Sequence, residues 1–304
     1  MIWIVVILLG LIAVPLTVEA MRTPMSEDRQ KAGPGKLALL SQGTTHYEWM
    51  GPERGPVAVC VHGLTTPSFV WRGMARGLAL MGFRVLVYDL YGRGYSETVL
   101  GRQDAAFFVT QYNDLLMHEN VTDPVTLLGY SMGGAIAAHI AASQPQRIKQ
   151  LVLLAPAGMQ ELATGKLKAT RDLPVIGDWL FLAVYPFLLR KGIKAEENMP
   201  GSVENIADLQ RAETDRRGYF PAVLSSLRGV LRHPAEAEHR AIAAAGIPTL
   251  AVWGAQDDVI ALSCKDVLGQ WNPGALQSVI DDAGHGLTYT HTDQVLEAIR
   301  ASRG

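Results

Sequence analysis

Six short apolar runs recur along the chain, each followed by glycine, proline or polar residues. They are "VAVCVHG" (57–63), "FRVLVYDL" (83–90), "VTLLGY" (125–130), "KQLVLLAP" (149–156), "IPTLAVWG" (247–254) and "ALQSVIDDAG" (275–284). Their length, β-branched content and turn-forming ends predict buried strands. Helical spacing of apolar residues falls between them, over roughly 69–81, 104–118, 132–143, 263–271 and 291–302. Nearly continuous apolar strands alternating with helices imply an α/β architecture, a mostly parallel central sheet with helices on both faces. In such sheets ligands bind outside the carboxyl ends of the strands.

The alternation stops between about 158 and 240, where no buried strand is predicted. "DWLFLAVYPFLLRKGI" (178–193) and "YFPAVLSSLRGVLRH" (219–233) have helical character, with Pro186 and Pro221 expected to interrupt or start helices. The block is too long for an ordinary connection. It is expected to be a helical cap (158–240) inserted in a core formed by 37–157 and 241–304, on the side where a substrate would lie.

The amino terminus has a different pattern. "IWIVVILLGLIAVPLTV" (2–18) carries no charge. At about 1.5 Å per residue it makes a helix somewhat shorter than the roughly 30 Å hydrocarbon core of a bilayer. One expectation is that residues 1–20 form an uncleaved membrane anchor. The other is a signal peptide cut after Val18-Glu19-Ala20, followed by export. No Lys or Arg precedes the apolar run, whereas Arg22, Arg29, Lys31 and Lys36 follow it. That asymmetry favours an anchor with the catalytic domain in the cytoplasm. Residues 21–36, polar and containing Pro24, Gly33, Pro34 and Gly35, are expected to be a linker.

Composition narrows the function classes. The 304 residues, 48% of them hydrophobic, suffice for one large α/β domain with an insertion. A net charge of −2 without long basic runs argues against a nucleic-acid partner. The two cysteines, Cys60 and Cys264, lie in or beside predicted buried elements and are expected to be core residues, not a disulfide framework. No metal-ligand spacing is present, and no cofactor is implied.

One motif carries chemistry. Between the strand 125–130 and the small-residue helix that follows stands Gly129-Tyr130-Ser131-Met132-Gly133, a Gly-x-Ser-x-Gly. On a sharp strand-to-helix turn it exposes the serine hydroxyl at the top of the sheet, and side chains two residues to either side would collide with the turn. The Met132 N–H, at the positive end of the next helix, would face a developing oxyanion. A serine needs a base, and the base an orienting acid, in the chain order serine, acid, histidine. Asp257 stands three residues after Gly254, just past a strand, and is preferred over its neighbour Asp258. His285, in "DDAGHGLTY", follows the last strand between glycines and is the expected base. His118, His233, His239 and His291 are expected to be solvated, and His139 to pack. In "VCVHGLTT", His62 is expected to shape a loop that turns the Leu64 N–H toward the serine, completing an oxyanion hole with Met132.

"VHGLTTPSFVW", "YDLYGRGYSE", "GYSMGG", "GAQDD" and "AGHG", in this order and approximate spacing, resemble the α/β-hydrolase fold family over nearly everything from about 45 to 302. Within it the chain is similar to small serine esterases, monoacylglycerol lipases and C–C bond hydrolases with a helical cap. The resemblance implies two-step acyl transfer by Ser131, His285 and Asp257. The expected substrate is a small-molecule ester, with a lipid-like, monoacylglycerol-type ester favoured by the apolar stretch in the cap and the anchor. A C–C bond hydrolase or a cofactor-free perhydrolase would use the same triad, and a ligand receptor without catalysis is the reading outside enzymes. The pattern departs from the family at Ala261, four residues after the acid, where many members carry proline.

Overall fold

The computed structural model describes residues 2–162 and 165–303. In chain order its strands are β1 (Lys36–Leu39), β2 (Thr44–Met50), β3 (Val57–Val61), β4 (Arg84–Tyr88), β5 (Val125–Tyr130), β6 (Ile148–Leu154), β7 (Thr249–Gly254) and β8 (Leu276–Ile280). The helices are α1 (Ile2–Met21), α2 (Glu27–Lys31), α3 (Arg72–Leu80), α4 (Ala105–His118), α5 (Met132–Ser143), α6 (Gly165–Asp172), α7 (Ile176–Glu196), α8 (Ile206–Thr214), α9 (Tyr219–Arg228), α10 (Glu236–Ala244), α11 (Cys264–Trp271), α12 (Leu287–Thr290) and α13 (Thr292–Ala301).

One eight-stranded sheet has the order β1-β2-β4-β3-β5-β6-β7-β8. β3 to β8 run parallel, and β2 joins β4 antiparallel with β1 beyond it. All six predicted strands are present. β1 and β2 escaped the sequence reading because "KLAL" is short and "TTHYEWM" mixes polar with aromatic residues. Apolar side chains of α3 and α13, among them Met74, Leu78, Val295 and Ile299, cover one face of the sheet. Those of α4, α5, α10 and α11, among them Tyr112, Ile136, Ile242 and Leu268, cover the other. Both faces of β5 are therefore buried along its whole length. From β3 the chain moves to one side for β4 and returns to the other side for β5. The carboxyl ends of β3 and β5 thus flank the point where the strand order reverses, the place where such sheets bind ligands.

Between β6 and β7 the chain leaves the sheet for α6 to α10; residues 163–164 of this excursion lie outside the described residues. Pro186 does not interrupt α7, contrary to expectation. A proline inside a helix costs about 3 kcal/mol. Here Phe181 and Tyr185 before it, stacked at 4.4 Å, and Leu189 after it pack on one apolar cluster, which offsets that cost. Pro221 lies in the first turn of α9, as expected.

The expected membrane anchor is not supported. Among the described residues no helix is long and apolar enough to cross a membrane; Met1, where the anchor was expected to begin, lies outside them. The later part of α1 instead packs on the excursion. Pro15 and Glu19 are buried, Trp179 Nε1 donates to the Ile12 carbonyl at 2.8 Å, and the Gly218 N–H donates to Glu19 at 2.6 Å. The segment expected as a linker also has structure: Ser26 caps α2, and Gln30 donates to the Tyr95 carbonyl at 3.0 Å.

Candidate active site

β5 ends at Tyr130, α5 begins at Met132, and Ser131 alone makes the turn between them. Its backbone has φ 53° and ψ −120°, a conformation that costs a non-glycine residue about 1–3 kcal/mol. The turn is held by its own backbone bonds. Ser131 N–H donates to Leu154 O at 3.0 Å, and Ser131 O accepts from Gly134 and Ala157 at 2.8 and 3.0 Å. The flanking glycines are sterically required. A Cβ on Gly129 would lie 2.3 Å from Gly133 O, and one on Gly133 would lie 2.1 Å from Val61 O.

Asp257 follows β7, and its side chain is 2% exposed. One oxygen accepts from the N–H groups of Val259 and Ile260, both at 2.8 Å. This local loop closes around the carboxylate with Ala261 in place, so a proline at that position is not needed for the geometry. Asp258 is exposed. The other Asp257 oxygen meets His285 Nδ1 at 2.8 Å, and His285 Nε2 meets Ser131 Oγ at 2.9 Å. A carboxylate only accepts, so the proton sits on Nδ1 and Nε2 presents a lone pair to the serine hydroxyl. Three residues far apart in sequence thus form one hydrogen-bonded line.

The loop after β3 passes directly beside this line. A Cβ on Gly63 would lie 3.3 Å from Ser131 Cβ. His62 is fully buried; its Nδ1 bonds to Gly63 O at 2.8 Å and its Nε2 accepts from Leu90 N–H at 2.9 Å. Burial pushes its pKa down to about 4, so it stays neutral near pH 7. Among the described residues no protein acceptor takes up the N–H of Leu64 or of Met132.

The remaining histidines divide. His118 and His233 are exposed, as expected, and His139 meets Glu238 at 3.1 Å. His239, expected in solvent, is instead fully buried and stacked on Trp271, because α10 turns that face onto α11. His291 is also largely covered, 3.5 Å from Asp282. Cys60 and Cys264 are free and buried.

Other contributors went unread in the sequence. Tyr130, the residue before the serine, donates its hydroxyl to the His285 carbonyl at 3.1 Å and so steadies the histidine loop. Asp89 and His46 form a buried pair at 2.7 Å; Asp89 also accepts from the N–H groups of Ser68 and Tyr95 at 2.8 and 2.9 Å. Burial opposes ionisation of Asp89, but its bond to His46 and their charges hold it well below the usual carboxylate range. The excursion reaches the same region, with Tyr219 OH donating to Thr65 O at 2.7 Å. Only the "YDLYGRGYSE" motif signalled any of this, and its spacing alone names no partner.

The family described as alpha/beta hydrolase fold matches residues 56–292. "Lipase 1" of Psychrobacter immobilis is 25% identical over 88% of this chain and 83% of its own length. A "pimeloyl-[acyl-carrier protein] methyl ester esterase" of Vibrio campbellii is 27% identical over 80% of this chain and 92% of its own. Among solved structures, an esterase from Exiguobacterium antarcticum superposes with a TM-score of 0.73 at 18% identity, covering 89% of this chain and all of that one, and this likeness speaks for the fold alone.

Proposed function

We propose a function from one established premise: the chain belongs to the alpha/beta hydrolase fold family. The names of its relatives, a lipase and a methyl ester esterase, support ester hydrolysis as the general activity. We infer that this chain is a serine hydrolase of carboxylic esters. The observation that carries the reading is His285 standing between Ser131 Oγ and Asp257, at 2.9 and 2.8 Å.

His285 Nε2 takes the proton as Ser131 Oγ attacks the ester carbonyl. Asp257 keeps the imidazole in the productive tautomer and stabilises the imidazolium. The free N–H groups of Leu64 and Met132 hold the oxyanion, and each such donor is typically worth about 3 kcal/mol. His285 returns the proton to the leaving alkoxide. It then activates water, which releases the acid from Ser131.

For the substrate we propose an apolar acyl group, as in a monoacylglycerol-type ester. Met132 and Leu64 belong to the same apolar cluster as Phe181, Tyr219, Phe220 and Leu224 of the excursion, which supports reading α6 to α10 as a cap that lines the acyl path. The test is hydrolysis of p-nitrophenyl esters of increasing chain length by the full chain beside Ser131→Ala. Activity lost in the variant, with an optimum at longer acyl chains, is expected. A short-chain optimum would overturn the lipid-like substrate. No hydrolysis by the folded protein at any length would overturn the esterase reading.

A further inference from the structure

The loop after β4 carries a group that the acyl-transfer steps do not use. Arg93 is 0% exposed. A guanidinium offers five N–H donors and no acceptor, and here every donor has a partner within the protein. Nε donates to the Leu64 carbonyl at 3.2 Å. Nη1 donates to the Tyr91 carbonyl at 3.0 Å and to Gln103 Oε1. Nη2 donates to the Ala222 carbonyl at 3.2 Å and to Ser226 Oγ at 2.9 Å. None of these acceptors is a carboxylate. Burial lowers the Arg93 pKa to about 10, so the group is still charged near neutral pH.

A buried cation with no carboxylate among its hydrogen-bond acceptors is an expensive way to fill space. What distinguishes this one is where its donors go. One reaches the carbonyl of Leu64, the residue whose N–H the proposed mechanism assigns to the oxyanion hole. Two stay with Tyr91 and Gln103 beside it. Two reach Ala222 and Ser226 on α9. The planar fork ties three segments with one rigid group, which an ammonium on a flexible stem does not reproduce. The same helix grips the next residue of the loop, since Tyr219 OH donates to Thr65 O. Packing leaves little slack: a Cβ on Gly92 would lie 2.5 Å from Ala222 Cβ.

We propose that Arg93 is a positioning residue of the oxyanion hole, locking the Leu64 carbonyl to α9 so that the Leu64 N–H is aimed at Ser131 only while the cap helix is seated. The proposal rests on the serine-hydrolase reading. It makes cap seating and assembly of the oxyanion hole one event. A substrate whose acyl group holds α9 in place would thereby complete the hole that stabilises its own transition state.

The experiment uses the full chain. Wild type, Arg93→Lys, Ser226→Ala and Ser131→Ala are compared with a p-nitrophenyl ester; active sites in the first three are counted by end-point titration with a fluorophosphonate so that unfolded protein does not enter the rates, and folded Ser131→Ala, which lacks the titrated hydroxyl, is quantified by circular dichroism. A boronic acid serves as the transition-state mimic. Lysine keeps the charge but not the fork, so per-site kcat is expected to fall about 10- to 100-fold, less than or equal to the loss of one oxyanion donor. KM should stay within about twofold, and the boronic acid Ki should rise by the same factor as kcat falls. Ser226→Ala removes one side-chain acceptor on α9 and leaves the Leu64 contact, and its per-site kcat should fall about fivefold. It keeps the proposal testable if Arg93→Lys does not fold. Unchanged per-site kcat and Ki in the variants, even with lower melting temperatures, would mean that Arg93 only holds the fold, and would overturn the proposal. A raised KM with kcat intact would overturn it too. Residual activity in Ser131→Ala would instead bring down the serine-hydrolase reading beneath it. An inactive Ser131→Ala beside an Arg93→Lys that matches wild type would sink the positioning role alone.

Discussion

Replacing Gly133 by alanine tests the crowding at the serine turn directly. The added methyl carbon would lie 2.1 Å from Val61 O and 2.6 Å from His62 O. Both are backbone atoms of the strand and loop that lead to Leu64, so no side chain can rotate away. Ordinary contact begins near 3.4 Å, so α5 and the end of β3 must separate by on the order of 1 Å. Forcing an extra methyl into a packed interior typically costs about 1–3 kcal/mol. For a domain of this size that corresponds to a melting temperature lower by roughly 2–10 °C. The separation also moves Ser131 and Met132 away from Leu64, and a 1 Å misplacement of reacting groups costs about 100-fold in rate. The assay is thermal unfolding followed by circular dichroism, together with per-site kcat on a p-nitrophenyl ester. Gly192→Ala is the control: Gly192 lies in α7, and a Cβ there meets nothing within 4 Å, so the substitution should be neutral or stabilise by up to about 1 kcal/mol. A Gly133→Ala protein that melts with wild type and turns over at the wild-type rate would refute steric necessity as the reason for the glycine.

Asp257→Asn should lower kcat by about 10⁴-fold through loss of the productive tautomer, whereas Asp258→Asn, altering an exposed side chain, should stay near wild type; steady-state kinetics on the two decide the assignment of the acid. Tyr130→Phe removes the hydroxyl that holds the His285 carbonyl and should cost about 1 kcal/mol of stability, read as a lower melting temperature, with a smaller kcat than wild type. Glu213, buried against the Gly94 N–H, has its carboxyl pushed up to about 7 by desolvation. A carboxyl raised on folding contributes stability that is fully present below its unfolded pKa and is lost as pH rises through its folded value. Melting temperature should therefore fall from about pH 5 to about pH 7 in wild type and fall less in Glu213→Gln; parallel profiles for the two proteins would remove Glu213 as the cause.

The six parallel strands, the helices between them and the placing of the candidate residues Ser131, Asp257 and His285 just past β5, β7 and β8 were legible in the chain. These features rest on local causes: β-branched apolar runs, glycines that a tight turn demands, and a histidine set between glycines just past a strand. What tertiary structure alone decided are partnerships between distant segments. β2 is polar enough to look like a loop, and becomes a strand because β4 offers an antiparallel edge. Pro186 ought to stop a helix, and does not, because Phe181, Tyr185 and Leu189 share one buried surface. The opening apolar helix reads as an anchor by composition alone, yet its later turns bury Pro15 and Glu19 against α7 and α9. His239 and Arg93 carry polarity that suggests solvent, and both are wholly buried. A charged or kinked residue is tolerated inside only when acceptors or apolar neighbours from elsewhere in the chain converge on it, and that convergence has no period or spacing to be read in one dimension.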